Sequence, residues 1–265
     1  MVDAGGLARV VAAMATHPQN AHVQTFGCEA LVSAVAGSDA AAAARQQAMV
    51  DGGGLARVVA AMATHPQKAD LQRFGCRALA IAVAGSDAAA AARQQAMVDA
   101  GGLARVVAAM VAHPLNAYLQ GEGCMVLAFA VVGSDAAAAA RKQAMVDAGG
   151  LARVVAAMVA HPQDANLQGF GCRALAIAEA GSDAAAAARK QAMVDAGGLA
   201  RVAAAMVAHP QDANLQATGC AALAVAVVGS DAAAAARQQA MVDAGGLARV
   251  VAAMAVHPLE CVPAG

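Results

Sequence analysis

Met49-Val50-Asp51-Gly52-Gly53-Gly54-Leu55-Ala56-Arg57-Val58 decides the fold, because it is not unique in the chain. With alanine in place of Gly52 it also begins at Met1, Met97, Met145, Met193 and Met241, a spacing of 48 residues each time. A fixed period of this length is the signature of a stacked array in which each copy buries its apolar face against the next. The whole chain, residues 1–265, is therefore expected to be one array. Its units start at about 1, 49, 97, 145, 193 and 241, and the last is partial.

Each unit reads as three helices on either side of this stretch. Before it, Asp39 to Val50 is rich in Ala, Arg and Gln, all strong helix formers. Ser38 is placed to cap that helix, and Ser86, Ser134, Ser182 and Ser230 recur in the same role. Gly52-Gly53-Gly54 stops it. A second helix runs from Leu55 to Thr64. In the first copy Leu7, Val10, Val11 and Met14 make one apolar face, and His17-Pro18 closes the helix. A third runs from Ala21 to Ala36, with Val23, Gly27, Cys28, Leu31 and Val35 on one face. A mid-helix glycine is costly, so the series Gly27, Gly75, Gly123, Gly171 and Gly219 predicts a close helix crossing.

Gln46 to Leu55, then Val58-Val59-Ala60-Ala61-Met62, then Val23-Gln24 through Ala30-Leu31 resemble the armadillo repeat. The likeness covers the whole chain, although the usual unit is shorter and the surplus lies in Asp39 to Ala44. It implies an all-α fold, a right-handed α-solenoid of three-helix armadillo-type repeats, whose third helices line a concave groove. It further implies a non-enzymatic scaffold that binds a protein or peptide. One departure stands against a direct transfer. Where the family carries an asparagine ladder, this chain has Ser33, Ile81, Phe129, Ile177 and Val225. The family's usual peptide-backbone clamp is absent.

Composition narrows the function classes. Hydrophobic residues make up 60% of the chain, but aromatics only 2%, so alanine dominates. Polar residues interrupt every apolar stretch before the roughly 20 residues a bilayer requires, so no membrane span is expected. A formal net charge of -1 lacks the basic footprint of a nucleic-acid binder. Cys28, Cys76, Cys124, Cys172 and Cys220 recur with the period and read as reduced core thiols of a cytoplasmic protein, and Cys261 as a free thiol in the tail. No catalytic constellation, cofactor loop or metal cluster is recognisable, so no enzyme activity, cofactor or metal is expected.

The copies are an internal alignment. First and second helices barely change, whereas the third helix varies at the positions of His22, Thr25, Phe26, Glu29 and Ser33. At about 100° per residue these fall on one stripe, opposite Gly27 and Leu31. The candidate groove residues are Glu29, Asp70, Arg73, Arg77, Tyr118, Glu122, Met125, Phe129, Asn166 and Arg173. Constancy at the Arg9 and Arg45 positions, taken as exposed, favours tuning to a ligand over drift. The ladder from His17 to His257 is expected to satisfy helix-end carbonyls. The Arg9 and Asp3 rows are expected to be solvated or paired, and the Gln24 row to bridge to a loop. Glu179, where other copies have valine, is expected to snorkel out. The second helices at both ends of the chain are as apolar as the internal ones, which predicts a longer array or homo-oligomers formed through the ends.

Overall fold

The computed structural model describes residues 4–37, 39–181, 183 and 185–257. Among these there are sixteen helices and no strand. Second-type helices are α1 (Ala4–Thr16), α4 (Gly54–Thr64), α7 (Gly102–Ala112), α10 (Gly150–Ala160), α13 (Gly198–Ala208) and α16 (Gly246–Val256). Third-type helices are α2 (Ala21–Val35), α5 (Ala69–Ala82), α8 (Ala117–Ala130), α11 (Ala165–Glu179) and α14 (Ala213–Val227). First-type helices are α3 (Ala40–Asp51), α6 (Ala88–Asp99), α9 (Ala136–Asp147), α12 (Ala186–Asp195) and α15 (Ala234–Asp243). The chain divides into two compact units, Met1–Gly133 and Ser134–Gly265. No single described helix is long and apolar enough to cross a membrane.

The first-to-second helix break requires glycine. Gly53 and its four equivalents take φ between 72° and 79°, a left-handed conformation that a Cβ disfavours. The helix starts differ from expectation. Asp39, Asp87 and Asp135 cap α3, α6 and α9, accepting the backbone N–H three residues on at 2.7 Å. The aspartate one residue after the serine does the capping, since its carboxylate also suits the positive helix end. Ser38 and Ser182 lie outside the described residues. Asp183 and Asp231 turn aside to Arg189 and Arg237, and α12 and α15 start without a side-chain cap.

Within a copy, the third helix lies on the second. A Cβ on Gly75 would stand 2.6 Å from the Met62 sulfur, and Gly27, Gly123, Gly171 and Gly219 meet Met14, Met110, Met158 and Met206 in the same way. This is the predicted close crossing. Gln72 Nε2 donates to the carbonyls of Met62 and His65, both at 2.9 Å, and all five glutamines of the row repeat the pattern. The orphan carbonyls at the end of the second helix thereby gain donors. The five periodic cysteines are buried and free. Burial pushes the Cys28 and Cys172 thiols up to about 12. Cys261 lies outside the described residues.

Candidate functional site

The third helices pack side by side within each unit: α2 against α5 and α5 against α8 in the first, α11 against α14 in the second. Their buried faces carry Gly75, Cys76 and Leu79 and the equivalents of these residues. The opposite strips carry the residues that vary between copies. Asp70, Arg77, Tyr118, Asn166 and Arg173 are exposed, and Glu29, Arg73, Glu122, Met125 and Phe129 are half-buried. Glu29 to Phe129 belong to the first unit, Asn166 and Arg173 to the second.

The strip of the first unit is chemically mixed. Phe26 is 63% exposed and Tyr118 78%, unusual for rings in a chain with so few. They stand on α2 and α8. Between α2 and α5 lies a hollow of about 370 Å3, lined among others by His22, Phe26, Glu29, Lys68, Asp70 and Phe74. The Arg73 guanidinium stacks over the Phe74 ring, 4.1 Å from its centre. Arg77 Nη1 donates to Glu122 Oε1 at 3.0 Å, joining α5 to α8. Burial pushes the Glu122 carboxyl up, and Arg77, through its charge and hydrogen bond, with help from Arg73, pulls it part of the way back. The strip of the second unit is more neutral. A hollow of about 430 Å3 between α11 and α14 is lined by Asn166, Phe170, Arg173, Asp212, Asn214 and Thr218 among others.

Lys68 also lines the hollow between α2 and α5, and the sequence carries a signal for it. It occupies the N-cap position of α5, where the other third helices have Asn20, Asn116, Asp164 and Asp212. Those four accept backbone N–H groups, whereas Lys68 makes no side-chain cap bond and lines the hollow instead. A copy that gives up a cap for a cation is marked by that loss.

Several rows of the repeat prove structural. Arg45 was expected on an exposed face, but its equivalents Arg93, Arg141, Arg189 and Arg237 are buried. Arg93 Nε donates to the Ala82 carbonyl at 2.8 Å and Nη2 to that of Ala84 at 3.0 Å, tying down the end of α5. The constancy of this row reflects burial and says nothing about selection at an exposed face. The histidine side chains do not serve their own helices. His65 and His113 place Nε2 2.9 and 2.8 Å from the carbonyl oxygens of Pro18 and Pro66 in the preceding copy, and His209 does the same to Pro162. Since a carbonyl only accepts, Nε2 carries the proton. Asp51, Asp99, Asp147, Asp195 and Asp243 accept from a glutamine one turn earlier, as Gln47 does to Asp51 at 2.8 Å. Asp3 lies outside the described residues. The Arg9 row is less solvated than expected: Arg57, Arg105 and Arg153 are half-buried, each with its Nε shielded and unpartnered.

Glu179 does not snorkel. It is 0% exposed, and neither carboxyl oxygen has a partner. Among the described residues no three His, Cys, Asp or Glu side chains gather as metal ligands. At the far end, α16 leaves Leu247 and Val251 more than half exposed, whereas the equivalent Leu199 is 3% exposed and buried. The chain matches no family model, no curated protein and no solved structure.

Proposed function

We propose that the chain is a right-handed α-solenoid of armadillo-type repeats. In this reading it is a cytoplasmic, non-enzymatic scaffold that binds a protein or peptide across its third helices. One observation carries the reading. In each unit, the side chains that differ between copies lie on the accessible strip of the third helices and frame an open hollow there. The exposed rings of Phe26 and Tyr118 offer apolar area at low entropic cost, and Arg77, Arg173, Glu29 and Asp70 offer charge to fix register. Selection of a displayed random-peptide library on the immobilised full chain tests it. Enriched peptides should lose at least tenfold in affinity when Phe26 and Arg77 are replaced by alanine. Failure to enrich any peptide family, or enriched peptides indifferent to both substitutions, overturns the reading.

The exposed apolar face of α16 favours a second reading, a structural module that assembles through that face. Light scattering over a dilution series separates the two. Growth in mass with concentration that Val251→Glu abolishes supports assembly, and a constant monomer mass removes it.

A further inference from the structure

Three departures from the repeat lie at the ends of α11 and α14 in the second unit. Glu179 ends α11 where Val35, Val83, Val131 and Val227 stand in other copies. Lys142 and Lys190 replace the glutamine seen as Gln46, Gln94 and Gln238. The glutamine of α6 reaches back, Gln94 Nε2 donating to the Val83 and Gly85 carbonyls of its own copy. The lysines reach forward. Lys142 Nζ donates to the Ala180 carbonyl, beside Glu179, at 2.8 Å, and Lys190 Nζ to the Val228 carbonyl at 2.7 Å. Lys142 and Lys190 are themselves buried.

We propose that Glu179 is a proton-operated latch of the second unit. Protonated, it rests in the core and leaves Lys190 on the Val228 carbonyl. Deprotonated, it draws Lys190 away and frees the loop from Val228 to Ala233 that leads into α15.

The surrounding groups define this outcome. A carboxylate without a hydrogen bond is strongly disfavoured in a dry interior. The cations that act on Glu179 are Lys190 from α12 and Arg237 from α15. From α9, Lys142 is committed to Ala180. The neighbouring loop brings Asp183, which both terminal nitrogens of Arg189 hold. Helix α14 contains no charged residue, and α10 and α13 contribute only the half-buried Arg153 and Arg201. Arg237 is fastened by three bonds, Nε to the Ala226 carbonyl at 3.0 Å and both terminal nitrogens to Asp231. Lys190 holds one carbonyl from the end of a flexible stem, so Lys190 is the cation that moves. Val228, which loses it, is itself exposed and stands at the end of α14.

Burial pushes the Glu179 carboxyl well above the carboxylate range, and Lys190 and Arg237 offset this only in part. The sign of the linkage follows. Below the range of an ordinary carboxyl, folded and unfolded chains are both protonated at this position, and the residue exerts no pH effect. Above it the unfolded chain sheds the proton first, so the closed state loses stability as pH rises, until the folded group ionises.

Hydrogen exchange of the full chain between pH 6 and 9, corrected for intrinsic rates, tests the latch. The comparison segment is the equivalent loop of the first unit, Ala84 to Asp87. The wild-type segment 228–233 should open at least tenfold more at pH 9 than at pH 6 while the comparison segment stays constant. E179V, which restores the residue of the other copies, and E179Q, which mimics the protonated form, should both show no pH response. The latch is overturned if wild type and E179Q respond alike, or if the extra exchange is spread evenly over the second unit.

Discussion

The arginine row of the first helices and the variable strip of the third helices are both rich in side chains that could meet a ligand, yet they have opposite fates. Arg93, Arg189 and Arg237 are buried on helix-end carbonyls, and arginine never changes at this position among the copies. Arg77 stands half exposed where other copies have Glu29, Met125 and Ala221. The difference shows that constancy of a charged residue in this repeat does not by itself mark a ligand contact. The constant arginines of the first helices are structural ties, and the charged residues that vary stand on the accessible strip of the third helices. Conservation of chemistry is therefore a poor guide to function here, and variation combined with exposure a better one.

The largest test of that contrast removes a tie. Arg93→Ala leaves the Ala82 and Ala84 carbonyls without the donor and opens a void beside Gln46, whose Oε1 lies 3.3 Å from Nη2. A loss of about 2–4 kcal/mol in denaturant-derived stability is expected, from one or more buried groups left unsatisfied at about 1–3 kcal/mol each. A change below about 0.5 kcal/mol would mean that water replaces the guanidinium and that the row is not structural.

Gly75→Ala is next. Alanine would improve helix propensity by about 1 kcal/mol, but its Cβ would stand 2.6 Å from the Met62 sulfur. Overpacking of this kind costs about 1–3 kcal/mol. Met62 has a flexible end, so the expected net loss is about 1 kcal/mol, and Gly75→Ala with Met62→Ala should recover part of it. A more stable Gly75→Ala single variant would show that the crossing has slack.

These cases also mark what could be read from the sequence. The period and three helices per unit were legible because glycine, proline and apolar spacing punctuate every copy identically. Gly27 and Gln24 were legible because a costly residue on a packed face must have a reason. The first helix was not. Its Ala-rich run has no apolar stripe to show which side is inward, so Arg45 looked solvated. Arginine can bury its stem and still place its head on carbonyls one helix away. Ser-Asp pairs left the capping residue ambiguous. Glu179 stood out as a departure, but its burial depends on how α12 and α14 pack against α11, which no local pattern encodes. At the strip the residues were legible as variable, whereas the hollow and the part of Lys68 depend on how neighbouring third helices align.

Lys68 sharpens the contrast from the other direction, as an exposed residue that costs stability. Lys68→Asn would restore the cap that the equivalent Asn116 makes to the Leu119 N–H. A gain of about 1 kcal/mol is expected, within the range for N-caps. On the proposed function, the same change should weaken peptides that occupy the hollow between α2 and α5. A gain in stability without any change in binding would reduce Lys68 to an unfavourable cap.

The smallest expected effect is the most discriminating. Arg77→Ala removes an ion pair whose arginine is 49% and glutamate 14% exposed by side chain. Exposed pairs are worth about 0.2–1 kcal/mol, so stability at neutral pH should fall by no more than about 0.5 kcal/mol. The fall should also have a sign in pH. Arg77 holds the Glu122 carboxyl down against burial, so its removal lets that carboxyl rise further. A carboxyl raised in the folded state costs stability above its unfolded range and nothing below it. The difference between Arg77→Ala and wild type should therefore be present at pH 7 and disappear on acidification through the carboxylate range. Urea melts at pH 7 and pH 3.5 measure it. A large loss at neutral pH would place Arg77 with Arg93 among the structural ties, and the strip would no longer be the freely varying surface on which the binding proposal rests. A small, acid-sensitive loss keeps the two rows distinct and leaves Arg77 available to a partner.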